Sequence, residues 1–188
     1  MINHRRNTMS VVVMLAALAF GVVLGSVYSG NIASSTVDEL REYITDFFEN
    51  NIRSKPEIFL ASLIENLPVF LAIFFAGFFK FGAILTVGVG IFRGFVSGFT
   101  AATLMKLMGW RGFLLTLSGA FSAVVFALAL VFFGGYSINF GILTRKREFG
   151  AKKEYLIASA IFMAIFCVSS FLDGYITTIF MNFIVTHL

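Results

Sequence analysis

The stretch FGAILTVGVGIFRGFVSGFTAATLMKLMGWRGFLLT, residues 81–116, decides the fold. Twelve uncharged residues, 81–92, lead to Arg93, and twelve more, 94–105, separate it from Lys106. Neither half crosses a hydrocarbon core of ~30 Å at ~1.5 Å per residue, but the two together do. Residues 81–105 therefore predict one transmembrane helix with an arginine near its middle, unless the chain turns back at Arg93 as a re-entrant hairpin. Residues 112–144 pose the same choice, being 33 uncharged positions in a row.

Working outward, other apolar runs complete the set. Asn7 to Val37 carries no charge, and Val11 to Tyr28 is nearly all aliphatic, which predicts a first span. The bases Arg5 and Arg6 ahead of it resemble a secretory signal, but the apolar run exceeds the usual ~7 to 15 residues, so an uncleaved anchor is expected. Ile58 to Phe79 is a second span, interrupted by Glu65, Asn66 and Pro68, where a kink or local unwinding is expected. A fourth span is expected from Phe113 to Phe133 with a looser exit at Gly134-Gly135-Tyr136, and a fifth from Tyr155 to Leu172, with Asp173 marking its outer boundary. The fold class is thus an all-α integral membrane protein, a single membrane domain over 1–188 with about five transmembrane helices. Three full spans plus two re-entrant hairpins is the alternative.

Composition supports this class and excludes others. Of the 188 residues, 59% are hydrophobic, 13% are charged and 25 are Phe, more apolar surface than a water-soluble domain of this size can bury. The net charge of +4 does not point to nucleic acid, because most bases stand singly or in pairs beside apolar runs, as membrane anchors do. Lys and Arg also set the orientation. Arg5, Arg6, Lys80 and the basic loop 145–154 outweigh Arg41, Arg53, Lys55, Lys106 and Arg111, which puts the N-terminus in the cytoplasm and the C-terminus outside. The three-span alternative satisfies this bias better, since it also brings Lys106 and Arg111 inside.

The polar segment 30–57 then lies outside the cell. Thr36-Val37-Asp38-Glu39 fits a capping box, and Leu40, Ile44, Phe47 and Phe48 recur at helical spacing, so a short amphipathic helix is expected. Its apolar face rests on the bilayer or bundle, or meets a partner.

Two features within the membrane call for an explanation. Gly90, Gly94, Gly98 and Ala102 form a stripe of small residues that lets another helix approach closely, in this chain or in a second copy. Arg93 is costly at mid-membrane and should face the bundle. Counted from Lys80, Glu65 and Arg93 fall at similar depth, so an intramembrane Glu65–Arg93 pair is expected, with Asn66 as a further polar partner. Lys106, Trp110 and Arg111 read as an interfacial belt. No catalytic, metal or cofactor motif is present: Cys167 is the one cysteine, His4 and His187 stand at opposite ends, and HExxH, GxSxG and P-loop patterns are missing. No enzymatic activity and no cofactor are expected.

The run Arg93-Gly94-Phe95-Val96-Ser97-Gly98-Phe99-Thr100, followed by Leu104, Gly109, Arg111 and Gly112-Phe113-Leu114-Leu115, resembles the central signature of the stage II sporulation protein M family. Glu65-Asn66 and Gly77-Phe78-Phe79-Lys80-Phe81-Gly82 suit the same family. The resemblance implies a polytopic scaffold in the bacterial cell membrane, at the sporulation septum or engulfing membrane. In that role it would anchor two peptidoglycan hydrolases, stage II sporulation proteins P and D. The competing expectation is a small oligomeric permease or channel subunit built on Glu65, Asn66 and Arg93.

Overall fold

The computed structural model describes residues 4–32, 39–40, 55–79, 81–144 and 151–177. Ile44, Phe47 and Phe48, most of the 30–57 segment and the bases at 145–147 lie outside them; Leu40 is half-buried. Five long helices make up the fold: α1 (His4–Gly30), α2 (Lys55–Ala76), α3 (Gly82–Met108), α4 (Trp110–Thr144) and α5 (Ala151–Leu172). A π-helical turn, Asp173–Thr177, follows α5. Each of the five contains a stretch long and apolar enough to cross a membrane. The hairpin alternative fails on α3 and α4, which are continuous helices through Arg93 and through the whole uncharged run.

Neighbours along the chain run antiparallel. Gly109, with φ of 55°, is the whole link between α3 and α4, a backbone conformation that favours glycine. Its N–H still closes on the Met105 carbonyl at 2.9 Å, which finishes α3 before the chain reverses. Three residues later, a Cβ on Gly112 would meet the Leu104 carbonyl, so the two helices touch at the corner. On α2, the helix continues through Pro68 without the local unwinding that was one of the two expectations there. Neighbouring helices at membrane depth support a proline-containing helix in place of the lost donor.

The core is aromatic and lies toward the α4 C-terminus. Tyr155 of α5 is fully buried, stacks on Phe140 at 4.0 Å and on Tyr136 at 6.0 Å, and meets Phe78 edge-on at 5.5 Å. Its hydroxyl donates to the Phe74 carbonyl at 2.9 Å, while the Ser137 hydroxyl donates to the Ile73 carbonyl at 2.9 Å. Both carbonyls lie at the C-terminal end of α2, where Ile73 also accepts from the Gly77 N–H at 3.3 Å and the Phe78 N–H turns to Phe75, so the Tyr155 hydroxyl caps the Phe74 carbonyl. Phe70 continues the cluster, stacked on Phe133 at 5.1 Å and edge-on to Phe166 at 5.5 Å.

Gly134 and Gly135 are not the expected membrane exit. The helix runs on to Thr144, and these glycines are buried where Met14 and Val11 of α1 press against them. Within an uncharged run, close approach and chain exit leave the same glycine signature. The 35 residues of α4 span about 52 Å, well beyond a ~30 Å hydrocarbon core, so α4 tilts or emerges from it. The expected basic loop 145–154 is also shorter than its charges suggest, since α5 already begins at Ala151.

Candidate functional site

Two polar assemblies tie the helices together. The first is the small-residue seam. α1 buries Ser10, Met14, Ala17, Gly21, Gly25 and Ser29, spaced by three or four, and leaves most of its other residues exposed. Against it α3 lays Gly90, Gly94 and Gly98, all buried. A Cβ on Gly94 would meet the Leu18 carbonyl, one on Gly98 the Val22 carbonyl, and those on Gly21 and Gly25 the carbonyls of Ile91 and Phe95. Backbone therefore lies on backbone, and because Leu18 meets Gly94 while Val22 meets Gly98, the two helices run parallel.

Polar groups fix the end of this seam at the α1 C-terminus. Ser29 and Thr103 hydroxyls share a hydrogen bond of 2.8 Å, and Lys106 Nζ donates to the carbonyls of Ser29 and Gly30, both at 3.3 Å. Lys106, expected in an interfacial belt, is thus a C-cap for α1, where a cation suits the helix dipole. Trp110 is 67% exposed and stacks on Phe113 at 5.2 Å. Ala102 is only half-buried, and the contact passes to Thr103, because four-residue steps overrun a 3.6-residue turn.

The second assembly is centred on Asn66. Arg93 Nη2 donates to Asn66 Oδ1 at 3.0 Å, and the guanidinium carbon stands 4.5 Å from the centre of the Phe126 ring. The Asn66 amide then donates to Ser170 Oγ at 3.1 Å and to Ser62 Oγ at 3.3 Å. The Ser62 hydroxyl donates to Asp173 Oδ2 at 2.7 Å, and the Ser122 hydroxyl donates to Asp173 Oδ1. Ser169 closes the assembly on the Ser122 carbonyl at 3.0 Å. A cation on α3 and a carboxylate after α5 are thereby joined through side chains of α2, with α4 contributing Phe126 and Ser122. An amide suits the centre because it accepts from the guanidinium on one side and donates to hydroxyls on the other.

This arrangement corrects two expectations. Arg93 bonds Asn66 and forms no ion pair with Glu65, although Glu65 and Asp173 both act on it electrostatically. Depth alone placed Glu65 correctly, but adjacent helical residues lie about 100° apart, so only one of the pair can face α3. Asn66 is buried and Glu65 exposed. Asp173 is not a bare boundary marker either, since it accepts two hydroxyl bonds from other helices. The sequence did carry signals for this assembly: Ser62 and Asn66 are one turn apart, as are Ser169 and Asp173. The Ser10-to-Ser29 stripe of α1 was equally present. Arg93 Nε is buried and has no hydrogen-bond partner among the described residues.

Chemically, both assemblies bind helix to helix. The hydroxyls next to Asp173 act as donors to it, and the guanidinium is shared between an amide and a ring. Neither the curated proteins nor the solved structures give a match to this chain. The family model described as stage II sporulation protein M matches residues 10–178, which takes in all five helices, both assemblies and the π turn, and the chain accordingly belongs to that family: it is a multi-pass membrane protein of sporulation.

Proposed function

We propose that this protein is a non-enzymatic membrane scaffold that holds peptidoglycan hydrolases, resembling stage II sporulation proteins P and D, at the septal and engulfing membrane. One observation carries this reading: the polar side chains of the bundle's middle bond to one another across helices, from Arg93 through Asn66 and Ser62 to Asp173. A site built for turnover keeps reactive groups free toward a substrate, whereas a scaffold uses them to fix one geometry. Family membership supports the sporulation setting.

The test is crosslinking in sporulating cells followed by purification in detergent. Recovery of the two hydrolases with the wild-type chain supports anchoring, and recovery of the chain with neither hydrolase counts against it. Reconstitution of the purified protein in liposomes separates the competing permease reading. Specific solute flux that disappears on Arg93→Met at unchanged protein abundance would favour transport.

A further inference from the structure

Glu65 is left in an unusual position once Asn66 takes Arg93. It lies in the Pro56–Ala76 span, nine residues from one end and eleven from the other, so near the middle of the membrane. Its side chain is exposed and has no hydrogen-bond or ion-pair partner among the described residues. Around it α2 exposes Leu60 (54%), Ile64 (61%), Leu71 and Phe75. This is the composition of a lipid-facing surface, with one carboxylate set into it. A charged group facing hydrocarbon is among the costliest placements a membrane helix can have, and such residues normally face protein or water.

The covering element must satisfy two conditions: an apolar surface to match the exposed aliphatic residues, and a hydrogen-bond donor at the depth of Glu65. A second copy of this chain does not meet the second condition. A symmetric contact through α2 would set Glu65 opposite Glu65 at equal depth, and like charges repel. Arg93 is the one base of the described residues near mid-membrane; it acts on Glu65 electrostatically, but its hydrogen bond goes to Asn66 and its face to Phe126, so it gives Glu65 no donor. Charge complementarity therefore selects a different molecule. We propose that the lipid-facing side of α2 around Glu65 docks a transmembrane helix of another protein that carries a lysine or arginine near its midpoint. The proposal rests on the scaffold reading for the existence of such a partner, and it makes α2 a membrane-embedded recruitment surface.

The experiment uses the full-length protein in phosphatidylcholine liposomes, with a synthetic leucine-rich transmembrane peptide bearing one central lysine as the probe. Association is read by energy transfer between a dye on the protein and one on the peptide. The expected result is binding about tenfold tighter than that of the same peptide with leucine at its centre, with the preference abolished in Glu65→Ala. Glu65→Gln, which keeps the shape and loses the charge, should lose most of it. Equal binding of the two peptides overturns the proposal, as does a lysine preference that survives Glu65→Ala. Disulfide crosslinking of Ile64→Cys between two copies in the absence of peptide assigns the face to a second copy and overturns the proposal. Failure here with hydrolases still recovered from cells would reject the α2 surface and leave the scaffold in place.

Discussion

Removing the Asn66 side chain gives the sharpest test of how the bundle is held. Asn66→Ala deletes the acceptor at 3.0 Å from Arg93 and two donations, to Ser170 at 3.1 Å and Ser62 at 3.3 Å. A hydrogen bond to a charged group contributes about 1.5 to 3 kcal/mol, and neutral bonds between membrane helices about 0.6 each. The loss should therefore be about 2.5 to 4 kcal/mol, dominated by a guanidinium left with Phe126 as its main company. The single tryptophan, Trp110, stands at the α3–α4 corner and reports unfolding by its fluorescence in a detergent titration. Two further variants make the result diagnostic. Arg93→Met combined with Asn66→Ala should be less destabilised than the two single effects added together, because no charge is stranded, with a coupling of about 1.5 to 3 kcal/mol. Glu65→Ala should cost no stability and should if anything raise it, because it removes a carboxylate from a lipid-facing surface without breaking a hydrogen bond. Additive single effects, or a Glu65→Ala loss as large as that of Asn66→Ala, would refute the assignment of Asn66 as the partner of Arg93.

Other outcomes follow from the seam and its caps. Gly94→Val should destabilise by about 1 to 3 kcal/mol and weaken α1–α3 cysteine crosslinking, since the new side chain meets the Leu18 backbone; Gly88→Ala, in open space, should be neutral or gain up to about 1 kcal/mol in the same assay. Gly109→Ala should lower stability by about 1 to 3 kcal/mol, because a φ of 55° with ψ of −124° is poorly accessible to a residue with a Cβ. Tyr155→Phe keeps the stacked ring and removes the cap on the Phe74 carbonyl, for a loss of about 1 kcal/mol by thermal unfolding.

The five helices were legible because an uncharged run of sufficient length has few alternatives in a bilayer, and the stretch around Arg93 needed only its total length to be counted. Which residues meet is a matter of angle, and length carries none. Glu65 and Asn66 share a depth, and the rotation of α2 that turns Asn66 inward comes from the whole aromatic packing of Phe70, Phe133 and Phe166. The α3 stripe was visible as glycines spaced by four, whereas its partner on α1 could be named only with the register between the helices known. Gly134 and Gly135 were misread for a related cause: glycine marks both loosened chain and tight contact, and only Met14 against them distinguishes the two.

The glycine notches also govern how α1 and α3 respond to a pull along the membrane normal. Displacing one by a single residue would take the glycines off the carbonyls of Leu18, Val22, Ile91 and Phe95, and the next offset that presents glycine to carbonyl again is four residues away, about 6 Å. Between those offsets the pair has no comfortable resting place. An axial load applied at one leaflet therefore reaches the other without slippage, and the two helices bear it as a single strut.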